Sequence, residues 1–287
     1  MLVSEQEGIV KVFKAFNYEA NMPFPYPEDN IYPFEEWYYE NFLPQDIRER
    51  IYLPIFWTGY YVRANYGKDK SQIDHLQGYL NVLDRTRKYY TIVQYDDGIL
   101  NDLTGLDIRV YSMSGKPMDY PLPLICQPHN FNFGKLDREF KFSFVGRLTH
   151  PVRQEIVNAF EHTFGFYVTS RHHSLEEYCR ILARSVCVLC PRGYGPTSFR
   201  ICEALQFGAI PIYISDEPIY PHNASFPGAT LSCGHVGAIE QLIEQIRELK
   251  MAEAMERYIA DCYQNSYTYT ANKRLILQDL LNQNNKL

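Results

Sequence analysis

The alternation of apolar and polar positions predicts two successive series of strands and helices. In the first, apolar residues 51–57 read as a strand and 67–71 as a polar loop. Apolar positions at helical spacing predict a helix over 73–85, and strands follow at 89–95, ending in Asp96-Asp97-Gly98, and at 107–111. The second series runs strand 141–146, helix 151–163, strand 165–168, helix 174–184, strand 186–189, helix 198–207 and strand 209–214. Ser174 with Glu177 three residues on forms a capping box at the start of its helix. Such alternation predicts right-handed crossovers and parallel sheets with helices on both faces.

The Pro-rich passage 117–128 separates the two series, and a helical tail is expected over 239–249, 252–263 and 272–281. The expected organisation is a Rossmann-like unit over 1–125, a second over 126–265, and a C-terminal helix over 266–287 that crosses back to the first. Residues 22–39 alternate aromatics with prolines, a pattern that breaks helices and reads as an ordered, aromatic-anchored lead-in.

Composition narrows the functional classes. The 287 residues are 46% hydrophobic and 22% charged, as in globular proteins. A formal net charge of -6 gives no general field for a nucleic-acid backbone or an anionic membrane, so phosphate binding has to be local. Aromatics reach 15% with 24 tyrosines, a number that suits ordinary cores before it suits sugar stacking. Seven scattered cysteines and an N-terminus without a secretory pattern predict a cytoplasmic setting. Cys187-Val-Leu-Cys190 lies in an apolar run and reads as a buried strand. No apolar run is long enough for a membrane helix. His75, His129 and His150 are isolated at metal spacing, so no metal site is expected.

The chemistry concentrates after two strands of the second series. In the strand-loop-helix-strand segment from Cys190, glycines at 193 and 195 allow close backbone approach, and Ser198 stands as N-cap of a helix whose first N–H groups suit an anion. Arg192 in the loop and Arg200 in the first turn add positive charge, although the helix dipole disfavours a cation there. Glu203, three residues beyond Arg200, is placed to bind a ribose diol or to pair with that arginine. A second cluster, Gly146-Arg147 through His150 to Arg153, again joins a strand to a helix. Two such loops can converge on one diphosphate although neither is a P-loop or a G-x-G-x-x-G. Arg153 is open to a ligand role or a solvated surface role.

Taken together, Cys190-Pro-Arg-Gly193, Ser198-Phe-Arg200, Glu203-Ala-Leu205 and Ile210-Pro-Ile212 resemble the hallmark of the exostosin family, glycosyltransferase family 47. Phe144-Val-Gly146 with downstream Arg153 is similar to that family's earlier element. The resemblance implies a GT-B fold of two facing Rossmann-like domains, an inverting mechanism, and UDP- or GDP-sugar donors used as co-substrates with no obligatory metal or other cofactor. It implies diphosphate contacts from Arg147, Arg192, Ser198 and Arg200 and a ribose contact from Glu203, with Arg153, Gly193, Tyr194 and Thr197 completing the donor site. The acceptor would be an oligosaccharide or glycoprotein. The absence of an anchor and stem from this sequence resembles the compact glycan-building enzymes of large algal viruses, which implies xylose as the sugar and a host cytoplasmic setting.

An inverting transfer needs a base for the acceptor hydroxyl and positive charge for the departing diphosphate. Asp74 is the first candidate base, with Asp97 and its neighbour Asp96 behind it. Asp74 also reads as a helix first-turn acid, and Asp97-Gly98 as a simple turn. Two rival classes remain: a non-catalytic nucleotide-sugar or glycan-binding module, and an α/β phosphate-ester hydrolase that would use Asp96 and Asp97 on a metal.

Overall fold

The computed structural model describes residues 6–9, 33–43, 49–114, 120–222, 231–233 and 252–284. The aromatic-proline passage at 22–32, residues 117–119 of the Pro-rich crossing and the expected helix at 239–249 lie outside them. The chain divides into two compact units, one formed by Met1–Leu122 with Tyr269–Leu287 and the other by Pro123–Thr268. Each carries a parallel sheet with helices, so the chain is α/β with two Rossmann-like units in succession, the composition of a GT-B chain.

In the first unit, helix α1 (Phe34–Glu40) precedes β1 (Ile51–Tyr52), α2 (Trp57–Arg63), α3 (Lys70–Asn81), β2 (Lys88–Val93), β3 (Asp107–Ser112) and β4 (Tyr120–Pro121). The four strands pair in parallel in chain order, with Lys88 to Val93 matched one-to-one to Asp107 to Ser112. The strand expected over 51–57 is shorter than its apolar run. Only Ile51 and Tyr52 pair, Pro54 has no N–H for a ladder, and from Trp57 the same apolar chain is a buried helix. Periodicity alone does not separate a short buried strand from a buried helix. The helix expected from Ile73 begins at Lys70, because Asp69 caps it by accepting from the N–H groups of Ser71 and Gln72.

Tyrosine abundance has its cause in this core. Tyr38, Tyr52, Tyr90, Tyr111 and Tyr120 are buried together, with Tyr52 stacked on Tyr90 at 5.2 Å and Tyr38 edge-on to Tyr52 at 5.1 Å. Buried phenols need partners. Tyr38 and Tyr90 share a hydrogen bond of 3.1 Å, and Tyr111 donates to Asp279 at 2.7 Å. Asp279 lies on α8 (Tyr269–Asn284) and also accepts from Arg109 Nη2 at 3.0 Å, which fastens the C-terminal helix to β3.

The second unit holds β5 (Phe140–Val145), α4 (Pro151–Phe160), β6 (Phe166–Thr169), α5 (Leu175–Ala183), β7 (Ser185–Pro191), α6 (Phe199–Gln206), β8 (Ile210–Ile214), β9 (Leu231–Cys233) and α7 (Ala252–Ser266). The parallel sheet has the order β6-β5-β7-β8-β9. From β5 the chain winds one way to β6, then returns across to β7 and continues the other way. The connections after β5 and β7 therefore leave toward opposite faces, and a crevice opens beyond the carboxyl ends of those two strands. Arg138 locks the opposite end of the unit. Its guanidinium donates to the carbonyls of Ser185 at 2.8 Å and of Phe207 and Gly208 at 3.0 Å, the last two at the carboxyl end of α6, where a cation is favoured.

Candidate donor site at the β5–β7 crevice

Both cationic segments singled out in the sequence fall at this switch point, after β5 and after β7. Arg200, in the first turn of α6, folds back to the end of β5. Its Nε and Nη2 donate to the Val145 carbonyl at 3.1 and 2.8 Å, and its guanidinium lies 5.1 Å from the centre of the Phe144 ring. A cation at a helix N-terminus therefore needs no anion to explain it, since a strand-end carbonyl and an aromatic face are already its partners. Gly146 makes this possible. A Cβ there would stand 1.8 Å from Arg200 Nη2, so no other residue fits without moving the guanidinium. Arg147, the next residue, is exposed. Arg147 and the Arg200 guanidinium thus belong to the same, carboxyl end of the sheet.

Arg153 is not a solvated surface charge. It is buried on α4, with Nε donating to the Arg192 carbonyl at 2.7 Å, Nη1 to the Arg147 carbonyl at 3.0 Å and Nη2 to the Pro191 carbonyl at 3.3 Å. One guanidinium so ties the loop after β5 to the end of β7, using a fork of donors that lysine lacks. Gly193 leaves it room, since a Cβ there would come within 3.1 Å of Arg153 Nη2.

Arg192 is buried and its charge is met from within the protein. Nη1 pairs with Asp216 and, at 3.3 Å, with Glu217, both just beyond β8, while Nη2 donates to the Tyr194 carbonyl at 3.3 Å. Burial disfavours its charge, but the bond and charge of Asp216 outweigh that and hold the guanidinium above its ordinary value. The same bond lowers the Asp216 carboxyl. Two polar atoms of this segment are left over. Arg192 Nε and Ser198 Oγ are buried without a hydrogen-bond partner, and Ser198, although at the N-cap position of α6, makes no side-chain cap. An unmade buried hydrogen bond costs about 1 to 3 kcal/mol, which an anion at the helix N-terminus would relieve. Tyr194 holds its ring out to solvent, 78% exposed, and Thr197 is half-buried.

Glu203 lies one turn further along α6 and does not pair with Arg200. Tyr178 donates to its Oε2 at 2.6 Å, and His129 Nε2 stands 3.5 Å from its Oε1. Burial alone would raise this carboxyl, yet His129, the nearby charge of Arg200 and the Tyr178 hydroxyl together lower it. Tyr178, Asp216 and Glu217 escaped the sequence reading, and His129 was read there as isolated. Asp216 and Glu217 carried a signal, an acidic pair directly after a strand, whereas Tyr178 looked like any helix residue.

The acids considered as bases stand in the first unit. Asp74 is exposed in the second turn of α3, so it is not the first-turn acid expected, and Asp97 is exposed in the turn after β2, where Gly98 at φ 73° donates to the Tyr95 carbonyl. The built-in acid of this unit is Glu35. It is buried and accepts from Thr58 N–H, Thr58 Oγ1 and Gln94 N–H at 2.9, 2.8 and 2.7 Å. Burial pushes its carboxyl up to about 8 despite these donors. Among the described residues, neither Asp96 nor Asp97 joins a cluster of three metal-ligating groups.

A doubly wound parallel sheet with cationic βα loops at its switch point is a Rossmann-like α/β unit, a class whose ligands bind beyond the carboxyl ends of the strands. Residues 111–226 match the Exostosin GT47 domain. Relatives include the probable glucuronosyltransferase GUT1 of Oryza sativa subsp. japonica, 30% identical over 82 residues, which are 29% of this chain and 19% of that protein. Another probable glucuronosyltransferase of the same plant is 31% identical over 103 residues, 35% of this chain and 23% of its own. The chain therefore matches these relatives over about a fifth of their length. Among solved structures it is similar to the GtfA/B complex (12% identity, 73% of this chain and 60% of that one, TM-score 0.42) and to TarM (10%, 72% and 53%, 0.41). No helix among the described residues is long and apolar enough to cross a membrane.

Proposed function

We propose that the chain is an inverting glycosyltransferase that takes a nucleoside-diphosphate sugar, first of all a UDP-sugar, at the β5–β7 crevice and moves the sugar to a hydroxyl of an oligosaccharide or glycoprotein. The observation that carries this reading is the pair of buried donors without partners, Ser198 Oγ and Arg192 Nε, in the loop that leads into α6, where Arg200 is bent back over Gly146 to the end of β5. Positive charge and unused donors at a helix N-terminus suit a leaving diphosphate, whose charge grows as the glycosidic bond breaks. Arg153 shapes the loops from beneath and touches no substrate. Glu203 would bind ribose through the lone pairs left by Tyr178 and His129. Nucleotide charge is met by arginines in this reading, with no metal required at the diphosphate.

Asp74 is the proposed base, Asp97 the second choice, and xylose the first sugar to try. Calorimetry with UDP, beside a turnover assay with UDP-xylose and other donors, tests the scheme. Arg200→Ala should lose most UDP affinity, with loss of transfer on the order of 3 kcal/mol in barrier. Asp74→Asn should keep UDP binding and abolish transfer. Full activity in Asp74→Asn moves the base to Asp97, and UDP binding without any transfer or donor hydrolysis would make the chain a binding module.

A further inference from the structure

We infer a zinc-class metal site at Cys126, His129 and Glu203, where the loop that leads into the second sheet meets α6. The Sγ of Cys126, a ring nitrogen of His129 and a carboxylate oxygen of Glu203 all lie within 4.8 Å of one another. Around a tetrahedral zinc, with bonds of about 2.0 to 2.3 Å, ligand atoms stand about 3.3 to 3.8 Å apart, so side-chain adjustments of about 1 Å would close the set. His129 Nε2 points the same way. It is buried, with 7% of the side chain exposed, and its long 3.5 Å contact with Glu203 Oε1 falls short of a hydrogen bond in geometry.

The surroundings hold the three groups in place. Gln206, one turn beyond Glu203 on α6, accepts from the backbone N–H of His129 at 2.9 Å and donates through Nε2 to Cys126 Sγ and the Gln127 carbonyl, both at 3.3 Å. One amide so fixes the Cys126–His129 turn against α6 and points an N–H at the sulfur, the kind of outer contact that steadies a bound thiolate. Phe207 stacks on the His129 ring with centroids 6.3 Å apart, and Tyr178 holds the other Glu203 oxygen at 2.6 Å. Thiolate, imidazole and carboxylate together select Zn²⁺ over Mg²⁺ or Ca²⁺, and three protein ligands leave a fourth position for water. The metal would brace the start of the second sheet against α6. A Glu203 held by zinc and Tyr178 would orient α6 one turn below Arg200 and would not bind ribose. The inference replaces the ribose role proposed for Glu203 and does not rest on the proposed transfer reaction.

Metal content tests it without any activity assay. The tag-free full chain, loaded with Zn²⁺ and dialysed against metal-free buffer, should retain about one zinc per chain by elemental analysis. Cys126→Ala and His129→Ala should lose it while keeping their circular dichroism. Gln206→Ala should bind about tenfold more weakly. Co²⁺ in the wild-type protein should give strong visible bands of a tetrahedral site with a near-ultraviolet thiolate charge-transfer band. That spectrum keeps the test decisive even if the variants do not fold. No retained zinc, zinc unchanged in the folded Cys126 and His129 variants, or a cobalt spectrum without the thiolate band would each overturn the site.

Discussion

Gly146 and Arg153 illustrate how single residues act at this crevice through space and carbonyls rather than through ligands. Gly146→Ala sets a methyl group on the Arg200 guanidinium, and the side chain must leave the Val145 carbonyl. Overpacking of this kind costs about 1 to 3 kcal/mol, so a modest loss in urea stability is expected, with a larger loss of UDP affinity by calorimetry. Arg153→Lys should behave differently. It keeps the charge but loses the fork that joins three carbonyls, and buried acceptors left short cost about 2 to 3 kcal/mol. Its melting temperature should fall even without nucleotide, where a ligand-contacting arginine would mainly change affinity.

At the scale of elements, two helices with serine at the N-cap separate stability from binding. Ser174 accepts from the Glu177 N–H at 3.2 Å while the Glu177 carboxylate accepts from Ser174 N–H at 2.9 Å, the capping box expected of that sequence. Ser198 occupies the same position on α6 and caps nothing. Ser174→Ala should therefore cost about 1 kcal/mol of stability and leave UDP affinity unchanged. Ser198→Ala should do the reverse, with a denaturation midpoint that holds or rises and about tenfold weaker UDP binding. Equal stability losses in the two variants would show that Ser198 is an ordinary cap. The capping box was legible because both partners sit three residues apart in the chain. The unused Ser198 hydroxyl was not, because only the folded neighbourhood reveals that a donor goes without an acceptor.

For the whole molecule, buried and paired carboxyls set the response to pH. Glu35 has its carboxyl raised to about 8 by burial, so the folded state keeps a proton that the unfolded chain releases above its ordinary value of 4.5. That contribution is full below about 4.5 and is lost as pH rises through 8. Glu203 and Asp216, held low by their partners, contribute in the opposite sense, and their share is lost as pH falls through their lowered values. Stability should peak in mild acid and decline toward pH 8. In thermal melts across that range, Glu35→Gln should flatten the alkaline side, and an unchanged slope would show that Glu35 is ionised throughout.

Local chemistry in the sequence determined the αβ alternation of the second unit, the capped start of α5, and the glycine-arginine loops after β5 and β7, since each depends on neighbours within one turn or strand. The short β1 shows the limit of that information, because an apolar run through Pro54 serves a buried strand and a buried helix equally well. Tertiary structure alone decided that β5 and β7 lie side by side, that Arg153 is a buried tie, that Arg192 is met by Asp216 and Glu217, and that Cys126 and His129 stand against Glu203. These pairings span tens of residues. Charge, spacing and propensity record what a side chain can offer, and only the packed chain settles which partner it meets.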